Sequence, residues 1–169
     1  MNITYKTLPG AINKIFKRTI TLAALQRRVV FKEDNREKYI KSLLTRNVRT
    51  AIVVADIAKC RAHAYMVKCE KSKEVFDNLL SQGHMYMSVD GQNRTDTLER
   101  FHAGLTSVGD ITWIDEVGNR TPIETATTYD NLPFHPKQYL DKNACIPIDI
   151  IEDQTIDQIH QTYLALNSG

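Results

Sequence analysis

An α+β domain is the fold class this sequence predicts, and three observations predict it. Short runs rich in β-branched and aromatic residues recur at 50–55, 85–89, 111–114 and 146–151, each bounded by polar or turn residues. Between them stand stretches in which apolar residues return every three to four positions, the period of a helix with one buried face. The chain has 169 residues, 42% hydrophobic and 25% charged, the size and balance of one globular domain over 1–169.

Taken in order, the first thirty residues are basic with scattered apolar positions. Ile15-Phe16 and Ile20-Thr21-Leu22 suggest short strands, with Pro9-Gly10 as a break. Asp34-x-x-Glu37 resembles a capping box, and Tyr39, Ile40, Leu43 and Leu44 continue a helix over about 34–45. Residues 50–55 read as a buried strand. Residues 57–82 read as one helix or two, with Glu70-Lys71-Ser72 as the place for a break and Gly83 as the stop. The run at 85–89 is a strand, and Leu98, Phe101, His102 and Leu105 mark one face of a helix reaching about 104. Ile111-Thr112-Trp113-Ile114 pairs with Thr121-Pro122-Ile123 across Val117-Gly118-Asn119 as a hairpin, Pro122 confining its strand to an edge. Residues 125–136 form a loop, and Pro136 starts a short helix through Leu140. Ile146 to Ile151 alternates as a strand that Pro147 places at an edge or at the strand's beginning. Ile156, Ile159, Tyr163 and Leu164 define the last helix.

The net charge of +2 hides an asymmetry: residues 1–61 hold 14 Lys/Arg against 4 Asp/Glu, whereas residues 62–169 hold 8 against 16. A basic half of this strength fits a phosphate or nucleic-acid partner, or docking against the acidic half. No apolar run reaches membrane-spanning length and the beginning lacks a signal peptide's apolar centre, so no membrane partner is expected. Cys60, Cys69 and Cys145 follow no disulfide framework, and a cytoplasmic location is the expectation. Cys60-x-x-His63 with Cys69 invites a zinc reading, but on one helix Cys69 lies about 180° around from Cys60, and zinc is not expected.

Asp90-Gly91-Gln92-Asn93-Arg94 joins the strand at 85–89 to the next helix. The N–H groups and dipole of a helix start favour an anion, and an arginine there adds a bidentate phosphate donor. Arg94 is the leading candidate, against a surface ion pair with Asp96 or Glu99. Asp90 is a candidate metal ligand at a nucleotide or a base for water, against a turn aspartate that caps backbone N–H groups. Gly91 lets a ligand approach the backbone closely. Gln92, Asn93 and Thr95 are candidate amide and hydroxyl contacts, against ordinary solvated polar residues.

These blocks resemble the N-terminal domain of GmrSD-type modification-dependent restriction enzymes, in the ParB/sulfiredoxin-like superfamily. Gln26-Arg27 with Phe31 and Ile40-Lys41-Ser42-Leu43-Leu44 is similar to the first family block. Asp90-Gly91-Gln92-Asn93-Arg94 with Thr97-Leu98 is similar to the second. Ile146-Pro147-Ile148-Asp149-Ile150-Ile151, followed by a helix ending Leu166-Asn167-Ser168-Gly169, is similar to the third. Asn93, Thr95 and Asp96 depart from the family pattern, and 57–82 looks like an insertion. The resemblance implies a small mixed sheet with flanking helices, and a nucleotide pocket formed by Gln26, Arg27, Gly91, Gln92, Asn93 and Thr95. It implies Asp90 and Arg94 as the catalytic pair, with magnesium on Asp90 and an NTP as ligand or substrate. In the family the closing motif leads into an effector, often a nuclease, so a longer protein is expected.

The function expected is therefore a nucleotide-binding, NTP-hydrolysing domain of a DNA-defence or phage DNA-modification system, its nucleotide state gating a nuclease effector domain or subunit. The rival is a non-catalytic ParB-like module that binds DNA or protein through the basic first third. A nuclease in its own right is the weakest alternative, since no dense carboxylate or histidine cluster appears.

Overall fold

A computed structural model describes residues 2–26 and 30–168. The chain is α+β, as the alternation of short apolar runs and helical periods requires. Its strands are β1 (Ile3–Lys6), β2 (Thr19–Ile20), β3 (Ile52–Asp56), β4 (Tyr86–Asp90), β5 (Ile111–Ile114), β6 (Arg120–Ile123) and β7 (Ile146–Ile151). Its helices are α1 (Leu8–Lys14), α2 (Glu33–Leu44), α3 (Ile57–Met66), α4 (Glu70–Ser81), α5 (Gln92–His102), α6 (Phe134–Lys142) and α7 (Ile156–Leu166). Five strands form a mixed sheet in the order β1-β7-β3-β4-β2, and β5-β6 form a separate hairpin. The β3 pairings are parallel to β7 and antiparallel to β4.

The sheet is buried on both faces, which explains why β3 reads as an unbroken apolar run. Ile52, Val54, Ile146 and Ile148 pack with residues of α1, α2, α5 and α6, including Leu8, Leu44, Leu98, Phe101 and Leu140. Val53, Ala55, Met87 and Val89 pack on the other face with Ile57, Phe76, Leu79 and Ile159. Among the described residues no helix is long and apolar enough to cross a membrane.

Several local expectations are corrected. Residues 8–14 are helical: the Thr7 hydroxyl accepts from Gly10 N–H at 3.2 Å, and Pro9 falls in the first turn, where its missing N–H goes unused. The start of α2 has no capping box, because the helix begins at Glu33 with Lys32 at the cap, which puts Asp34 inside it; Glu37 accepts from the Gly109 N–H at 3.2 Å. The break in 57–82 falls at 67–69, where Lys68 takes φ 58°. Gly83 does end α4, at φ 89°, with His84 N–H donating to the Leu79 carbonyl. Leu105 lies beyond the end of α5 and is exposed. The α6 helix begins two residues before Pro136.

Of the two places expected for Pro147 the structure takes the strand's beginning, as the second residue of β7, and not an edge, since β7 is internal to the sheet. Ile150 donates to the Asn2 carbonyl, so bonded pairs alternate along β1/β7 and the Tyr5/Pro147 pair falls between them. On the other side the β3 ladder begins only at Ile148. The missing N–H therefore breaks no bond.

The charge asymmetry is partly resolved by docking within the molecule. Arg36 pairs with Asp96 at 3.3 Å, Lys59 with Glu152 at 3.0 Å, and Arg61 with Asp77. Cys60 is buried, its thiol donating to the Ile151 carbonyl at 3.5 Å, and burial pushes its pKa up to about 11. Cys69 is the last residue of the break, at the capping position of α4, and donates to the Ser72 hydroxyl at 3.1 Å.

Candidate functional site

The strand–turn–helix junction is built by a β-bulge and a left-handed glycine. Val54 pairs with Ser88 but Val53 pairs with Asp90, so Val89 is an extra residue in β4. Residues opposite one another share a face of the sheet. Ser88 therefore lies on the face of α5 with Val54, and Asp90 on the opposite face with Val53. Strict alternation would have kept Ser88 and Asp90 together.

Gly91 follows with φ +93°, a conformation that L side chains rarely adopt. A Cβ there would come within 3.2 Å of Ile52 Cγ1 and 3.3 Å of Ile52 Cα, so the turn sits directly against β3. Among the described residues no side chain caps the start of α5; the Gly91 carbonyl accepts from Thr95 N–H at 2.9 Å. This leaves a helix beginning with its positive end unneutralised by a cap.

Arg94 turns back across the junction. Its Nη2 donates to Asp90 Oδ2 at 3.2 Å, and its Nη1 donates to the carbonyls of Thr50 and Ala51 at 2.9 and 3.1 Å. Both side chains of the pair are mostly buried, 15% and 16% exposed. The alternative partners for Arg94, Asp96 and Glu99, are not used: Asp96 pairs with Arg36. Arg94 thus ties the end of β4 to the segment entering β3.

Gln92 and Asn93 reach the other way, to the segment before α2. Gln92 Nε2 donates to the Leu25 carbonyl at 2.8 Å. Asn93, 9% exposed, accepts at Oδ1 from the N–H groups of Val30 and Phe31 at 2.8 and 3.2 Å. Thr97 donates to the Asn93 carbonyl at 2.8 Å and fixes the first turn. The two sequence blocks around Gln26 and Asp90 are thereby brought together. Arg27 and Arg28 lie outside the described residues.

Two clefts flank this junction. The first, of about 170 Å³, is lined by Asp90, Gly91, Gln92, Asn93 and Arg94 with Val30, Phe31 and Tyr163. The second, of about 230 Å³, is lined by Gln26, Ser88, Gln92, Thr95, Asp96 and Glu99, with Thr19, Thr21, Phe16 and Val54. The predicted site residues are therefore divided: Asp90, Gly91, Asn93 and Arg94 face the first cleft, Gln26 and Thr95 the second, and Gln92 touches both.

Their electrostatics differ. The first cleft combines an arginine–aspartate pair with the helix start. The second carries two carboxylates on successive turns of α5, and burial together with the Asp96 charge pushes the Glu99 pKa upward. Ser88, Thr19, Thr21, Glu99 and Tyr163 were not among the sequence candidates. A serine inside the apolar run 85–89 is the one signal that could have flagged Ser88.

Among the described residues no group of three His, Cys, Asp or Glu side chains is placed to hold a metal ion. Asp90 alone suits magnesium only where phosphate oxygens complete the shell, the usual arrangement for that ion. No protein-family model, curated protein or solved structure matches the chain.

Proposed function

We propose that the chain binds a nucleotide by its phosphates in the first cleft, as a ParB-like domain of a DNA-defence or DNA-modification system. The observation that carries this reading is the left-handed Gly91 between Asp90 and Arg94, opening directly onto an uncapped helix start. Backbone N–H groups there suit a phosphate, and the small cleft takes phosphates more readily than a whole nucleotide.

In this reading ligand binding exchanges partners. A phosphate draws the Arg94 guanidinium from Asp90, and the freed Asp90 carboxylate becomes the residue that would hold magnesium. Magnesium bound there supplies neutralisation of phosphate charge. Asp90 is also the candidate base for a hydrolytic water. Gln92 holds Leu25 and Asn93 holds Val30 and Phe31, so a ligand at the α5 start bears on those residues, a route by which nucleotide state gates an effector.

Titrating each NTP with magnesium by calorimetry tests the proposal. Saturable binding at or below millimolar nucleotide, weakened about tenfold or more by Arg94→Ala, is expected for loss of a charged hydrogen-bond donor. No binding by the unaltered chain at millimolar nucleotide rejects the pocket. Release of inorganic phosphate with turnover separates hydrolysis from binding.

A second reading, a nucleic-acid-binding module, has its own observation. Lys14, Lys17 and Arg18 are exposed within one short stretch and make no ion pair among the described residues. Arg46, by contrast, is stacked on Tyr139 at 4.4 Å and on Trp113 at 5.6 Å. DNA affinity that falls steeply with salt and is lost on neutralising Lys14, Lys17 and Arg18, yet survives Arg94→Ala, favours this reading.

A further inference from the structure

The second cleft carries chemistry that phosphate binding does not use. Ser88 is 7% exposed, yet its hydroxyl has no hydrogen-bond partner among the described residues and faces the cleft. That hydroxyl is not sealed in the interior: it opens on the cleft, where a ligand can reach it. The side chains of Thr21, Gln26, Thr95 and Glu99 line the same space, Thr21, Gln26 and Glu99 exposed and Thr95 half-buried, and make no hydrogen bond among the described residues. One wall is apolar, formed by Phe16 and Val54, which are 6% and 1% exposed.

The charge selects among ligands. Asp96 is matched by Arg36, whereas Glu99 makes no ion pair among the described residues, so its carboxylate favours a hydrogen-bond donor over an anion. Hydroxyls and an amide supply both donors and acceptors, and a carboxylate accepts two donors side by side. That pattern matches adjacent hydroxyl groups on a ring lying beside the exposed edge of Phe16.

We propose that the cleft around Ser88, Thr95 and Glu99 is a binding site for the vicinal diol of a sugar. The Glu99 carboxylate accepts from the two hydroxyls, while Ser88, Thr95 and Gln26 bond to their oxygens. The site stands on its own residues and does not depend on phosphate binding in the first cleft. A free sugar and a ribonucleoside present the same diol.

Amide chemical-shift mapping on the full chain tests this. The probes are methyl β-ribofuranoside, its 2-deoxy counterpart, adenosine, putrescine and inorganic phosphate. The riboside is expected to shift the amides of Ser88, Thr95 and Glu99 saturably, and the deoxy compound to bind at least about tenfold more weakly, the cost of unmade buried hydrogen bonds. Ser88→Ala and Glu99→Gln are each expected to weaken the riboside several-fold while leaving distant amides in place. Adenosine binding no tighter than the riboside identifies the free sugar as the source; a gain of about tenfold or more identifies the nucleoside.

Equal response to riboside and deoxyriboside overturns the proposal, as does a response at these amides to putrescine alone or no response to any diol at high-millimolar concentration. Phosphate is read separately at Gln92–Arg94, so failure of one site is distinguishable from failure of the other.

Discussion

The two clefts on either side of the α5 start share Gln92 but are built on opposite principles. In the first, the polar side chains already hold one another: Arg94 is engaged by Asp90 and two carbonyls, and Asn93 by two N–H groups. In the second, Ser88, Thr95 and Glu99 line open space without hydrogen-bond partners among the described residues. A saturated cleft holds its shape without ligand, and a ligand must displace existing bonds to enter it. The polar groups of the second cleft are open to solvent, so a ligand entering it breaks no protein bond. The difference assigns structural weight to the first and available hydrogen-bonding capacity to the second.

Substitutions should therefore separate the two clefts by stability, and Gly91→Val should do so most. A forced left-handed φ and contact with Ile52 are expected to cost about 2–3 kcal/mol, a fall in Tm of roughly 5–10 °C by calorimetry. Arg94→Met follows, at about 2 kcal/mol, since it strands the partly buried Asp90 carboxylate and two carbonyls. An unchanged Tm in either variant would show that the junction is not held as described. Asn93→Ala should cost about 1 kcal/mol and raise hydrogen exchange selectively at Val30 and Phe31. Thr95→Val, in the second cleft, should change stability by no more than about 0.5 kcal/mol.

Glu99→Gln has the smallest expected effect and carries a sign. Burial and Asp96 raise the Glu99 pKa in the folded chain, so the fold holds this proton more tightly than the unfolded chain does. The resulting destabilisation is absent below the ordinary carboxylate range, grows as pH rises toward the raised pKa, and stays above it. The variant should match the parent at low pH and melt slightly higher at neutral pH, by about 1 °C or less, because Glu99 is exposed and solvent screens its charge. A lower Tm at neutral pH would contradict a Glu99 left unpaired.

Much of the fold was legible because burial writes itself as periodicity. The β3 and β7 runs, the Leu98–Phe101 face and the Gly83 stop all follow from local rules that tertiary packing did not overturn. The α1 helix was hidden by Pro9-Gly10, since a proline in a first turn and a proline at a break look alike without the Thr7 cap. The β7 position was hidden for a similar reason: Pro147 is harmless where the ladder leaves a gap.

At the candidate site, the residues were legible and their arrangement was not. Strict alternation collects Ser88, Asp90 and the helix start into one pocket, and the Val89 bulge separates them. A bulge depends on pairing with β3, a partner thirty or more residues away, and leaves no local signature. The Arg94 contacts to Thr50 and Ala51 carbonyls are equally non-local.

The central proposal, that a nucleotide's phosphates seat at the α5 start, is tested most directly by amide chemical-shift mapping with a ribonucleoside triphosphate and magnesium. Saturable shifts at Gln92, Asn93 and Arg94, with the Arg94 guanidinium resonance moving as its bond to Asp90 parts, are the predicted result. Unmoved amides at 92–94 at millimolar nucleotide would contradict it.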